Sequence, residues 1–210
     1  MIAVKNFLAT ILLIISVFTP CSAAKIAPGA SVAVMDFGTH PGAVPIDINI
    51  FNAGQAVCEY LINFLLTSGK LAIIDRSMVE DKIKSEKLNV TGIIDPETAQ
   101  KLGKILGVKY IIYGNVNDVT ISEISGSIAG TNLSICTVAS NLIVRLMEVE
   151  TGDIIAVAKG GGQSKSGKGT LVLQFGNVRI SQDSVHNALK KAASVTAENL
   201  LTKLYGESKK

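Results

Sequence analysis

The chain has 210 residues, of which 48% are hydrophobic, and its mean hydropathy is +0.40. This composition excludes a disordered chain and leaves room for one globular domain with a full core. The 20 Lys and Arg residues against 17 Asp and Glu give a net charge of +3, spread along the sequence, which is too weak a field to indicate a nucleic-acid partner.

The first 24 residues have the pattern of an export signal. Lys5 supplies the charge of the n-region, residues 7–18 form a short uncharged apolar run, and the small residues that follow predict cleavage after Ala24. A transmembrane helix is disfavoured because it needs about 20 apolar residues. A lipid anchor at Cys21 is the third interpretation, and it is disfavoured because Pro20 stands directly before the cysteine.

The first half of the mature chain alternates strands and helices. Residues 31–37, SVAVMDF, predict a strand, and a loop with proline and glycine follows over residues 38–52. Apolar residues at helical spacing predict a helix over residues 53–66. Residues 71–75, LAIID, predict a short buried strand, and residues 76–88 predict an amphipathic helix.

The second half begins with a helix that has recognisable ends. Asp95 is its predicted N-cap, proline and glutamate follow in the first turn, and Gly107 closes it. Residues 108–116 predict the next strand. Residues 141–150 and 153–159 predict two further strands, joined at Thr151-Gly152 by a hairpin turn in which the glycine adopts a positive φ.

A long helix over residues 182–204 ends the predicted domain. Its apolar stripe consists of Val185, Leu189, Ala192, Thr196, Leu200 and Leu204. The order β-α-β-α-α-β-β-β-α predicts an α/β fold with a mixed β-sheet flanked by helices, in a single domain over residues 25–210. Two segments rich in Ser, Gly and Thr, residues 119–140 and 160–180, are interpreted as hairpin-like insertions.

The second insertion contains most of a phosphate-binding pattern, G-x-x-x-x-G-K. Gly169 stands where the pattern requires Ser or Thr, and a β-like run follows where a helix must supply amides to the phosphate. The sequence therefore predicts no nucleotide binding, and we interpret this stretch as a Gly/Ser/Lys hairpin tip.

Residues that could carry redox, metal or catalytic chemistry are few. Cys58 and Cys136 are interpreted as buried free thiols, with a single disulfide as the alternative in an oxidising compartment. The chain has only two histidines, His40 and His186, and no C-x-x-C, which is too few ligands for a His/Cys metal site. No spacing indicates a nucleophile-base pair, so no enzyme activity and no cofactor are expected.

Four segments together resemble the curli production assembly/transport family, CsgG/HfaB, over nearly the whole mature chain. They are VAVMDF, LAIIDRSMVEDKIKSEKLNVTG, ETAQKLGKILGVKYIIYGNV and LIVRLMEVETGDIIAVAKGGGQS. The residues that carry the resemblance are Asp75 and Arg76 after the second strand, Leu102-Gly103 ahead of Leu106-Gly107, Gly114 after Tyr113, and Thr151-Gly152 in the last turn.

The resemblance implies an envelope protein whose relatives form ring-shaped outer-membrane channels. In those channels each subunit contributes two hairpins to a shared pore, and a loop after the first strand narrows the lumen. In this chain Asn49 and Phe51 are the pore-loop candidates, and Phe51 is the only aromatic residue of that loop. Each insertion is just long enough for one hairpin of strands of about 9 to 11 residues.

Two hypotheses of different classes therefore stand. The first is a subunit of a homo-oligomeric outer-membrane channel that secretes curli-like fibre subunits or adhesins. The second is a soluble periplasmic module of the same fold that binds partners and does not insert into the membrane. The aliphatic residues of the two insertions alternate only in patches along the sequence, and neither insertion has the Tyr or Trp girdle of a membrane interface, which leaves both hypotheses open.

Overall fold

A mixed sheet of six strands forms the centre of the molecule in the computed structural model, which describes residues 26–40, 42–43, 53–86, 93–128, 131–166 and 182–206. The strands are β1 (Ser31–Val34), β2 (Gly38–Thr39), β3 (Ala72–Ile73), β4 (Tyr110–Ile128), β5 (Thr131–Glu148) and β6 (Ile154–Ser166). The helices are α1 (Ala53–Thr67), α2 (Arg76–Ser85), α3 (Pro96–Leu106) and α4 (Gln182–Tyr205). The predicted α/β class is confirmed.

The sheet has a parallel part and an antiparallel part. Its order is β3-β1-β4-β5-β6, and β2 lies beside the middle of β4. β1 is parallel to both β3 and β4, with Val32 opposite Ile73 on one side and Tyr110 on the other. β4, β5 and β6 follow each other as an antiparallel meander. The mixed sheet inferred from the sequence is thus present, and β6 forms one edge of it.

Helices cover the two faces of the sheet unequally. Alternate residues from Val32 to Met35 belong to two different hydrophobic clusters. Val32 and Val34 belong to the larger cluster, and Ala33 and Met35 belong to the smaller one. The larger cluster lies against α1 and α4 and extends along β4, β5 and β6. The smaller cluster lies against α2 and α3 and reaches only the start of β4 and the end of β5. Beyond it, this second face of the meander is uncovered by described residues.

The helix ends follow the local chemistry of the sequence. Asp95 has an extended conformation and accepts a hydrogen bond from the Thr98 amide at 2.9 Å, and Pro96 occupies the first turn of α3. Gly107 ends α3 with φ of 68°, in the left-handed region that glycine adopts without steric cost. The six residues of the predicted stripe on α4 are all buried, so both predicted helices are confirmed.

The predicted strand limits differ from the structure: residues 31–37, 141–150 and 153–159 correspond to Ser31–Val34, Thr131–Glu148 and Ile154–Ser166. The strand expected at residues 71–75 is reduced to Ala72–Ile73, because Asp75 leaves the sheet to cap α2. The loop after β1 contains the two-residue strand β2. The strand expected to end at residue 116 continues past a bulge between Val116 and Asp118 and runs to Ile128, because its residues pair with β5 over this whole length.

Some of the predictions made from the sequence concern residues that the structure does not describe. Cys21, Asn49 and Phe51 lie outside the described residues, as does the larger part of the second insertion, residues 167–180. The first residues of that insertion, 160–166, belong to β6.

Candidate functional site

Arg76, one of the residues that carry the family resemblance, connects α2 to the sheet. Its Nη2 lies 2.8 Å from Asp36 Oδ1, just after β1, and its Nε lies 2.8 Å from Glu80 Oε1, one turn further along α2. The arginine side chain is 19% exposed, whereas the two carboxylates are half-exposed. The expected position of Arg76 at the start of a helix with an acidic partner is confirmed, and its role is to join elements.

The residues next to Arg76 have equally structural roles. Asp75 accepts hydrogen bonds from the amide and the hydroxyl of Ser77, and these bonds lower the pKa of the Asp75 carboxyl. The hydrogen bond from the Arg76 guanidinium makes the largest contribution to lowering the pKa of the Glu80 carboxyl. The nearby Cys58 thiol is buried, and burial raises its pKa to about 12, so it stays protonated and inert at neutral pH.

Gly114, Thr151 and Gly152 lie at two other places in the fold. A side chain at Gly114 would overlap the Ile143 carbonyl of the adjacent strand. Gly152 adopts φ of 81° in the β5–β6 turn, as expected, and the Thr151 hydroxyl donates to Glu148 Oε2 at 3.2 Å. The family-motif residues therefore do not converge on one site but each stabilises a turn, a helix start or a strand contact.

Both described cysteines are buried, Cys58 in the larger hydrophobic cluster and Cys136 in the outer part of β5. Within the described ranges, no three His, Cys, Asp or Glu side chains come close enough together to hold a metal ion. None of the described helices combines the length and the hydropathy that a bilayer crossing requires.

The first insertion of the sequence analysis, residues 119–140, is the outer part of the β4–β5 hairpin, and we call it the distal hairpin. Its base is covered, because Val119, Val138 and Ser140 are buried on the face that α4 covers. Its outer part is uncovered: Ile124 is 71% exposed, and a Cβ built on Gly126 would have no neighbour within 4 Å.

Strand register separates the distal hairpin into two chemically different faces. Ile124 lies opposite Ile135, and the pairs 126/133 and 128/131 lie on that same face. The amino acids at these six positions are Ile, Ile, Gly, Leu, Ile and Thr. The alternate positions 123, 125, 127, 132, 134 and 136 hold Glu, Ser, Ser, Asn, Ser and Cys. Over these outer positions one face is mainly aliphatic and the other mainly polar. Nearer the base the pattern reverses, because Val119, Ile121 and Val138 lie on the face of Glu123.

This division is hidden in the linear sequence. The aliphatic residues look patchy for two reasons: even positions of β4 share a face with odd positions of β5, and Ile121 lies on the opposite face from Ile124. A signal was available, because placing Ile128 opposite Thr131 brings the residues of the two strands into register and the pattern appears.

Comparison with known proteins agrees with the resemblance found in the sequence. The family model described as "Curli production assembly/transport component CsgG" matches residues 21–208. No curated protein matches the sequence significantly.

Several solved structures are similar at low identity. The C-terminal domain of LpoB from Escherichia coli is 19% identical over 67% of this chain and 87% of that chain, with a TM-score of 0.46. The lipoprotein GNA1162 from Neisseria meningitidis is 18% identical over 65% and 84%, with a TM-score of 0.46. A dodecamer of PelC from Paraburkholderia phytofirmans is 13% identical over 89% and 95%, with a TM-score of 0.42.

Proposed function

The chain belongs to the CsgG family of curli production assembly/transport components, and from this membership we propose that it is a subunit of an oligomeric outer-membrane channel for curli-like or adhesive surface proteins. The proposed role is transport and assembly, without enzymatic activity. The export signal over residues 1–24 supports a place in the cell envelope.

The division of the distal hairpin into two faces is the observation that carries this proposal. A strand that crosses a membrane beside a water-filled lumen alternates apolar residues toward lipid with polar residues toward water. The outer face of Ile124 and Ile135 fits lipid, and the outer face of Glu123 fits the lumen, whereas nearer the domain the face of Glu123 continues into Val119 and Val138, which are buried. Residues 119–128 and 131–140 have about the length of 9 to 11 residues that such a crossing needs, and the two-faced part, residues 123–128 and 131–136, is shorter.

Self-association follows from the hydrogen bonds of the hairpin. A lone hairpin in lipid exposes the unpaired amides and carbonyls of its outer edges, and each unsatisfied group costs several kcal/mol there. Edges of neighbouring copies satisfy each other when the hairpins form a closed ring. We therefore propose that insertion and homo-oligomer formation are one event.

A soluble periplasmic module that binds partners is the second candidate, and the packing of β6 favours it. Gly160 and Gly162 lie directly against the backbone of α4, so this part of the second insertion is fixed in the domain. What remains of the insertion, residues 165–180, is shorter than two crossing strands of about 9 to 11 residues each with a turn.

Substitutions on the two faces of the distal hairpin test the proposal. Ile124→Arg and Ile135→Arg place charges on the proposed lipid face, at a cost of about 2–4 kcal/mol each near the bilayer midplane. We expect the double variant to be lost from the membrane fraction while its α/β domain stays folded. Glu123→Arg is the control on the opposite face of the same strand, and Met78→Arg is the control at an exposed site of α2.

Envelope fractionation is the measurement. The wild-type protein and both controls should resist high-salt and carbonate washing as multimers, and the double variant should not. If the wild-type protein is released as a monomer, or if all four proteins behave alike, the channel is excluded and the soluble module remains.

A further inference from the structure

β6 is an edge strand of 13 residues, from Ile154 to Ser166. A strand of this length at the edge of a sheet presents unpaired amides and carbonyls, on which another strand can add. In an antiparallel pair, alternate residues direct both backbone groups toward the partner strand and the others direct them away. Whether this edge can accept another chain therefore depends on what the outward amides and carbonyls of β6 contact.

Side chains of α4 occupy the outward carbonyls of β6. Lys203 Nζ donates to the Val157 carbonyl, Asn199 Nδ2 donates to the Lys159 carbonyl at 2.8 Å, and Lys191 Nζ donates to the Gln163 carbonyl at 3.0 Å. The three acceptors are all odd-numbered, as expected for carbonyls that point away from β5. We call Lys191, Asn199 and Lys203 the edge-capping row.

The spacing of the edge-capping row matches that of the carbonyls. Four residues of a helix rise about 6 Å, and two residues of a strand rise about 6.8 Å. Positions 203, 199, 195 and 191 of α4 therefore keep step with positions 157, 159, 161 and 163 of β6, which run the other way. Val195, the position of this series between Lys191 and Asn199, has no donor group and is 39% exposed.

Glycines allow the helix to come close enough. A Cβ at Gly160 would overlap the Thr196 side chain and lie 2.6 Å from the Thr196 amide nitrogen, and one at Gly162 would overlap the backbone of Ala188 and Ala192. Because these positions lack side chains, α4 lies against the strand, and its longer side chains extend over the edge. The small residues and the edge-capping row thus act together.

We propose that the edge-capping row prevents a second copy of this chain from adding its own β6 alongside this one between Val157 and Gln163. Self-association through strand pairing is thereby restricted to other segments of the chain. The partner that the row excludes is the β6 strand of another copy, because each copy carries the same long edge. This strand is rich in Ala and Gly, so few of its side chains would obstruct pairing. The inference concerns the α/β domain and does not depend on membrane insertion.

Removing the donors tests the proposal. In the purified full chain, the triple variant Lys191→Ala, Asn199→Ala, Lys203→Ala is compared with the wild-type protein. The matched control is Asn63→Ala, Lys190→Ala, Lys101→Ala, which removes the same residue types at exposed positions outside the edge-capping row. One hydrogen bond changes an association constant by up to about tenfold, so we expect the triple variant to associate at least about tenfold more strongly.

Amide hydrogen exchange identifies the surface involved. In the triple variant, the outward amides of residues 157, 159, 161 and 163 should become protected from hydrogen exchange as the protein concentration rises. The wild-type protein and the control variant should show no such protection. Unchanged association and unchanged exchange of these amides in the triple variant would overturn the proposal. So would concentration-dependent protection of the same amides in the wild-type protein, because the edge would then pair despite the row.

A second variant covers the case in which the triple variant does not fold. Asn199→Asp keeps the size of the side chain but replaces the donor at the Lys159 carbonyl with a carboxylate, which repels that carbonyl. We expect the same protection of β6 amides at higher concentration, with a smaller increase in association. If the folded Asn199→Asp protein exchanges like the wild-type protein at every concentration, the proposal fails.

Discussion

Arg76 connects two elements that form separately. Its guanidinium bridges Asp36 of the segment after β1 and Glu80 of α2, and the Nη1 atom is buried without a hydrogen-bond partner among the described residues. The two charge-assisted bonds hold the start of α2 against the carboxyl end of β1. An exposed pair on the same helix, Lys84 and Glu80 at 3.9 Å, lacks this second anchor.

Arg76→Met tests the strength of this bridge. The substitution removes both bonds, and because the acids are half-exposed, solvent screening limits the loss in the free energy of unfolding to about 1–2 kcal/mol. The measurement is urea denaturation followed by circular dichroism. Lys84→Met is the control, since it removes a charge that contacts the same Glu80, and its effect should stay below about 0.5 kcal/mol. Equal losses in the free energy of unfolding in both variants would show that Arg76 contributes only its positive charge and that the bridge between the two elements adds nothing.

Among the elements, the helices could be predicted from sequence better than the strands. α3 and α4 are defined by local signals, namely Asp95, Gly107 and a stripe of apolar residues, and those signals act within a few residues. The outer parts of β4 and β5 could be predicted as a hairpin-like insertion, but not as continuations of the two sheet strands. Ser, Thr and Gly dominate there, and the pairing that keeps them extended connects residues on opposite sides of a turn.

The candidate site divides in the same way. Motif residues such as Arg76 could be found by resemblance, but their contacts depend on β1 and α2 meeting in space, which no local pattern encodes. The two-faced distal hairpin and the edge-capping row depend on strand register and on helix-strand alignment. Both arrangements have regular sequence spacing, which can be interpreted only once the partner element is known.

The contact of α4 with β6 provides a prediction at the level of elements. Gly162→Ala places a methyl group against the backbone of Ala188 and Ala192, which cannot move as a flexible side chain can. We expect the free energy of unfolding to fall by about 1–3 kcal/mol. Gly161→Ala, one residue away, is the control: its nearest neighbour is the side-chain oxygen of Asn141, and the change should stay within about 0.5 kcal/mol.

Thermal or urea unfolding of the two glycine variants decides the matter. If Gly161→Ala is as destabilising as Gly162→Ala, the cost lies in the strand backbone, and the close packing of α4 is not its cause.

At the scale of the whole molecule, several carboxylates make stability depend on pH in one direction. Hydrogen bonds from Ser77 and Thr98 lower the pKa of Asp75 and Asp95 below their ordinary value of 3.8, and Arg76 lowers that of Glu80. A carboxylate with a lower pKa in the folded state stabilises the fold above its unfolded pKa, and this contribution disappears as the pH falls through the folded pKa. The protein should therefore lose stability below about pH 4.

Asp75→Asn with Asp95→Asn tests this dependence. Asparagine still caps a helix but does not titrate in this range. We expect the free energy of unfolding of the double variant to fall less steeply between pH 5 and pH 2 than that of the wild-type protein, as measured by urea titrations at each pH. Asp81→Asn, at an exposed position of α2, is the control. A parallel course of the wild-type and double-variant curves would show that other groups determine the acid sensitivity.

The position of β1 between two parallel neighbours has a consequence for how the chain is made. β1 is the first strand to leave the ribosome, but it lies at the heart of the sheet and needs both β3 and Tyr110 of β4 as partners. The meander of β4, β5 and β6 pairs only neighbours in sequence and can form as soon as it is synthesised. β1 therefore waits for β4 before its second edge can pair, and a chain of this design gains from a carrier that keeps its first hundred or so residues open until β4 has been made.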